Sequence, residues 1–430
     1  MTDSSSQKPT TIRALRVVIA IALACALALP GAALAATRTL SYHGVRLTVP
    51  AGWPVFHISS GSRVCVRFNR HAIYLGRPGV NQFCPPRALG RTEAILVSPR
   101  TDPTRVLVGA SVPGAALGGG SMAQITDHAV VITATWGEHP GTIRRVLGIR
   151  SLRALTRTTN RALPVRMGAP LRSHLKPRLT SSASPAAPGA LYNGLGFDTC
   201  AAPSANAMSA WGSASPYAAV GIYIGGAEMA CAQPNLTASW VSAESAAGWH
   251  LIPIYVGLQS PSVSGCKGCA PMSTTPATAA AQGAAAAQDA VVQAETLGIG
   301  AGNPIYDDME GYTQNTTATA AVLAFLQAWT QQLHAGGYLS GVYSSAASGI
   351  ADLVSQVGTT YVEPDDIWIA DWNNLQTVSD PYVPATDWAS AQRLHQYSGG
   401  HTEADGDVTL NVDDDYLDGA AAAAGSVTAT

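Results

Sequence analysis

Hydrophobic and polar positions fall into two regimes along the chain. Between residue 37 and about residue 165, short apolar runs of β type at 45–49, 64–68, 94–97 and 128–134 are punctuated by Gly and Pro. That pattern predicts a small β-rich domain. Residues 166–190 lose apolar periodicity and gather Ser, Pro and Ala, the composition of a linker. From Gly196 onward, short apolar runs alternate with Ala-rich stretches, the signature of βα units around a parallel sheet. Strands are expected at 196–200, 219–226, 251–258, 304–310, 339–344, 366–372, 393–397 and 408–413, with helices clearest at 278–297 and 316–334. Eight strands over about 230 residues predict a (β/α)8 TIM barrel. It would span 191–420 and leave a flexible tail at 421–430. The same alternation admits a doubly wound open sheet, and no helical pattern precedes the seventh strand.

The first residues change the picture of where the protein works. Lys8, Arg13 and Arg16 precede an apolar run from Val17 to Leu29, followed by Ala33-Leu34-Ala35. This order predicts a signal peptide over 1–35 and export to the extracellular space or cell envelope. A membrane anchor would need about 20 uninterrupted apolar residues, and Pro30 and Gly31 stop the run early. After cleavage six cysteines remain, at positions 65, 84, 200, 231, 266 and 269. In an oxidising compartment three disulfides are expected. Pairing of sequence neighbours is one of about fifteen connectivities, and Cys266-Lys267-Gly268-Cys269 taken alone would also suit half a zinc site or a redox pair.

The formal net charge of −2 conceals a division. Twenty Lys or Arg face four acids between Arg38 and Thr180, whereas from Ser181 onward only Lys267 and Arg393 face twenty-two acids. An acidic C-terminal half argues against nucleic acid as its partner, since phosphate binding needs cations. The basic segment is expected to hold the protein on an anionic cell-envelope polymer; the alternative is that it packs on its own acidic barrel.

Working residues of such barrels stand at the C-terminal ends of strands. Those ends carry Asp198, Gln259, Asp308, Glu310, Asp371 and Asp413, with Tyr223, Tyr255, Tyr306, Trp372, Gln396 and Tyr397 as candidate sugar-binding groups. Burying several acids needs paired cations or a function, because unpaired buried charge costs several kcal/mol. In Asp307-Asp308-Met309-Glu310, strand alternation puts Asp308 and Glu310 on one face. Their repulsion is expected to keep a proton on one of them, the division that glycosidic cleavage requires. No Ser-His-Asp order or His-Glu-x-x-His motif suggests a peptidase, and no cofactor or metal is expected.

The order Gly196-Phe197-Asp198, Asp308-Met309-Glu310, Trp368-Ile369-Ala370-Asp371-Trp372, Gln396-Tyr397-Ser398 and Val412-Asp413 resembles the family 25 glycoside hydrolases, which are lysozyme-type muramidases. It is closer still to the actinobacterial glycoside-hydrolase-like domain of unknown function related to them. The resemblance spans about 195–417 and implies Glu310 as general acid. It also implies that Asp198, Asp308 and Asp371 position substrate, activate water or stabilise charge. A secreted glycosidase acting on a cell-wall or extracellular polysaccharide such as peptidoglycan is the implied function, and a non-catalytic carbohydrate-binding pseudoenzyme is the alternative.

Overall fold

The computed structural model describes residues 36–99, 121–127, 130–137, 139–148 and 189–423. The expected signal peptide, most of the expected linker and most of the expected tail lie outside these residues.

The N-terminal part opens with a hairpin, β1 (Thr37–Tyr42) and β2 (Val45–Pro50), turned by His43 and Gly44, both at positive φ. Five further strands follow: β3 (Val55–Ile58), β4 (Ala72–Gly76), β5 (Ala94–Pro99), β6 (Ser121–Asp127) and β7 (Val130–Trp136). They form one sheet in the order β3-β4-β5-β7-β6. Helix α1 (Pro140–Leu147) buries Ile143 and Val146 in the same core as Leu47, Val49, Ile73, Ile95 and Ile132. The run 64–68, expected as a strand, makes only isolated bridges. Its backbone is spent on the C-terminal half instead: the Phe68 amide donates to the Ala230 carbonyl (2.9 Å), and the Val66 carbonyl accepts from Ala232.

All eight strands expected in the C-terminal half are present and close into a barrel. They are β8 (Ala190–Asp198), β9 (Ala219–Gly225), β10 (His250–Tyr255), β11 (Pro304–Met309), β12 (Leu339–Ser345), β13 (Asp366–Ala370), β14 (Arg393–Asp405) and β15 (Val408–Ala421). Closure excludes the open doubly wound sheet. The regular (β/α)8 expectation needs correction too. Strands β8 to β14 run parallel, but β15 is antiparallel to both β14 and β8. The reason is local: β14 returns into β15 through a tight turn at Gly406 and Asp407, both at positive φ, which leaves no room for a crossover helix. No helix separates β13 from β14 either.

The helices present are α2 (Ala205–Ala214), α3 (Ala238–Ala246), α4 (Pro276–Thr296), α5 (Thr316–Ala335) and the short α6 (Ala351–Val354), which a π-helical turn precedes. Side chains of α4 buried against the barrel are mostly Ala, which brings the helix close. At Gly283 a Cβ would lie 2.1 Å from the Phe325 carbonyl oxygen, so α4 and α5 touch backbone to backbone there. Inside the barrel Tyr306, Trp368, Leu394 and Leu417 pack as a floor beneath the strand ends.

Three disulfides join sequence neighbours: Cys65–Cys84, Cys200–Cys231 and Cys266–Cys269. The first two lie against each other across the junction of the two halves, with Cys65 and Cys231 sulfurs 3.9 Å apart. Gly90 packs over the third.

Candidate active site

Asp198 ends β8, Asp308 stands on β11 with Glu310 just past its end, Gln396 is on β14, and Asp413 and Asp415 are on β15. Strand periodicity aims all of them into the barrel mouth. Gln396 ties the group together. Its amide nitrogen donates to Asp198 (2.6 Å), and its oxygen accepts from the Tyr343 hydroxyl and the Trp372 indole, both at 2.9 Å. Tyr223 donates to Asp198, and the Trp368 indole donates to Asp415. Gln259 fixes the acid-bearing backbone, donating to the Asp308 carbonyl (2.7 Å) and accepting from the Glu310 amide (2.8 Å).

One further residue completes the cluster, and it belongs to the N-terminal half. Arg87 leaves the loop between β4 and β5 and puts one guanidinium nitrogen 2.6 Å from Asp308 and 2.7 Å from Glu310. Its other terminal nitrogen reaches Gln396 at 3.4 Å, and the guanidinium carbon lies 4.0 Å from the centre of the Tyr343 ring. Arg87 brings the mouth a cation from outside the barrel, whose own sequence has only Lys267 and Arg393. The positive charge of the N-terminal half is thus turned, at this residue, onto the acidic barrel.

One guanidinium does not neutralise five carboxyls, so burial decides their protonation. Burial, opposed by Arg87 and reinforced by Asp308, pushes Glu310 up to about 7. Asp198 rises to about 6, burial outweighing Arg87 and the Gln396 hydrogen bond. Asp413 rises to about 8 through burial and the charge of Asp198, and the same causes with Asp413 added hold Asp415 well above the carboxylate range. Burial raises Asp308, while Arg87 pulls it back down. The two carboxyls lie close enough to act on each other, the Asp308 charge and the carboxyl contact adding to the rise of Glu310.

The other expected positions separate from this group. Asp371 turns its carboxylate to the Asn373 amide and its carbonyl to His395. Tyr306 shares the face of Asp308 but lies one layer deeper, its hydroxyl donating to the Ala420 carbonyl. Tyr255 faces outward between Ile254 and Val256, donating to Asp289 of α4 and packing on Trp329. Tyr397, next to the inward Gln396, also faces outward and accepts from Gln376. Trp372 stands at the rim, 60% exposed. A Cβ at Gly399 would meet its ring at 2.6 Å, so that glycine provides its seat. Among the described residues, His401, Glu403 and Asp414 could offer ligand atoms to a metal ion. They lie on the β14–β15 hairpin, where the Tyr217 hydroxyl already bridges the two acids.

The described residues thus form a closed barrel with carboxyls gathered at its strand ends. Residues 209–417 match the sequence model of the Rv2525c-like, glycoside hydrolase-like domain. No curated protein matches the chain. Among solved structures, an uncharacterized B. stearothermophilus protein is 20% identical, with 52% of this chain and 95% of that one covered and a TM-score of 0.36. The Tat-secreted protein Rv2525c of Mycobacterium tuberculosis is 14% identical over 53% and 96%, also with a TM-score of 0.36. The modular autolysin LytC of Streptococcus pneumoniae is 12% identical, TM-score 0.34, over 52% of this chain and 46% of its own.

Proposed function

We propose that the chain is an exported glycoside hydrolase acting on cell-wall or extracellular polysaccharide of the peptidoglycan type. The observation that carries this reading is the buried Asp308–Glu310 pair at the barrel mouth, both carboxyls against one Arg87 nitrogen at 2.6 and 2.7 Å, with burial raising Glu310 to about 7. Glycosidic cleavage needs that division of labour. Glu310 would protonate the leaving oxygen. Asp308, with Asp198 behind it, would direct water or stabilise the oxocarbenium-like centre, and Trp372 would stack on a sugar ring at the rim. Asp371 would hold the loop that carries Trp372. The order of residues 1–35 supports export. An anionic cell-envelope polymer remains a proposed partner for the arginines between 150 and 178, beyond the described residues.

The second reading, a carbohydrate-binding pseudoenzyme, is favoured by Arg87, which fills the place a substrate would take. New reducing ends, measured after peptidoglycan and other N-acetyl-sugar polysaccharides meet the full chain and its Arg87→Ala variant, separate the two. Product from either protein supports hydrolysis. Glycan binding without product from both establishes the pseudoenzyme.

A further inference from the structure

We propose that the barrel mouth contains a guanidinium-binding seat which the chain's own N-terminal domain fills with Arg87, so that the protein is made with its glycan site closed. The inference rests on the glycosidase reading for the nature of the excluded ligand, but not for the closure itself.

The seat engages both terminal nitrogens and one face of the guanidinium. Asp308 and Glu310 provide charge-assisted hydrogen bonds, Gln396 provides a third acceptor, and the Tyr343 ring provides a face. The guanidinium is held in the way an arginine side chain or a guanidinium ion in solution would be held. Occupancy shuts the site: Asp308 is 1% exposed, Glu310 13% and Arg87 itself 12%. No sugar ring can approach the glycosidic position on Glu310 while Arg87 stands there.

The loop bearing Arg87 is fixed at both ends. Cys84, three residues earlier, is bonded to Cys65, and its carbonyl accepts from Asn411 of β15 (2.8 Å). Pro86 packs against Gly400, where a Cβ would lie 2.6 Å from the proline ring. Beyond Arg87 the Gly90 amide donates to the Glu228 carbonyl (2.8 Å), and the buried Arg91 donates to the Gly226 carbonyl (2.8 Å). These contacts deliver the guanidinium to one place and oppose its withdrawal. Glycan entry requires Arg87 to leave.

Carboxyl labelling tests closure without relying on catalysis. The folded full chain would be treated with a water-soluble carbodiimide and glycinamide, and labelling of Glu310 compared by peptide mass spectrometry with that of Glu295, which is exposed. Wild-type Glu310 should be protected. Arg87→Ala should raise its labelling about tenfold or more, as for a group moved from a closed to an open state. Methylguanidinium in millimolar amounts should restore protection in that variant. Wild-type Glu310 labelling as fast as Glu295 overturns the proposal even if the variant fails to fold, and so does a folded variant with unchanged protection. Increased labelling without any glycan cleavage would leave the closed seat standing and remove the glycosidase reading.

Discussion

Arg87 Nη2 lies 2.7 Å from Glu310 Oε1, although the two residues are 223 positions apart and belong to different halves of the chain. The pair brings the strongest candidate acid of the barrel under the control of a residue outside it. Replacing Glu310 by Gln keeps the shape and removes the proton donor. In the Arg87→Ala background, in which the site is open, Glu310→Gln is expected to abolish hydrolysis while leaving the thermal midpoint and glycan affinity close to those of Arg87→Ala alone. Circular dichroism and isothermal titration in the same preparation check this, and a rate near that of Arg87→Ala alone would move the acid role to another carboxyl.

Asp308 acts on Glu310 through both its charge and the carboxyl contact, each of which raises Glu310. Asp308→Asn should therefore shift the alkaline limb of any pH–rate profile to lower pH as well as depress the maximal rate. A profile recorded against the Arg87→Ala protein, in which the site is open, is the appropriate measurement. A limb that stays in place would show that the two carboxyls do not share a proton.

Stability should fall as the solution becomes alkaline. Glu310, Asp198, Asp413 and Glu228 all titrate above their ordinary range, at about 7, 6, 8 and 8, mainly because they are buried. A raised carboxyl binds its proton in the folded state and releases it on unfolding. Its favourable contribution is full below about pH 4, where unfolded carboxyls also hold protons, and is lost as pH climbs through the folded value. The melting temperature should drop between pH 5 and about pH 8.5, in step with these values. Asp413→Asn should flatten the decline, because an amide has no proton to lose. A melting temperature constant across this range contradicts the protonation states assigned to the mouth.

Much of this was legible in the sequence, and the illegible parts have physical causes. Short continuous apolar runs mark the barrel strands, since each strand meets side-chain layers on both faces. The antiparallel last strand was not visible, because Gly406-Asp407 turns the chain without altering the apolar pattern around it. Asp308 and Glu310 could be placed together by strand periodicity. The same rule, applied to the neighbours Tyr255 and Tyr397, would have sent them outward. Arg87 left a single trace, a barrel with too few cations for its buried acids. Position 87 follows Cys84-Pro85-Pro86 in a loop with no periodicity, and only the tertiary docking of the two halves makes it part of the site.

Trp372 is the exposed aromatic beside the mouth, held by Gln396 and seated on Gly399. Trp372→Ala in the Arg87→Ala background should weaken glycan binding by about 1 kcal/mol, roughly fivefold, with little effect on the melting temperature. Titration with a soluble peptidoglycan fragment measures it. Unchanged affinity would place the sugar elsewhere on the rim.

The central claim, a carboxyl-based glycosidase beneath an arginine, is tested most directly by comparing Arg87→Ala with the Arg87→Ala/Glu310→Gln double variant on purified peptidoglycan. Released fragments would be reduced and analysed by mass spectrometry. The account predicts fragments with new reducing ends from the single variant and none from the double. Equal release from both, or no release from the single variant while it binds the glycan, contradicts it.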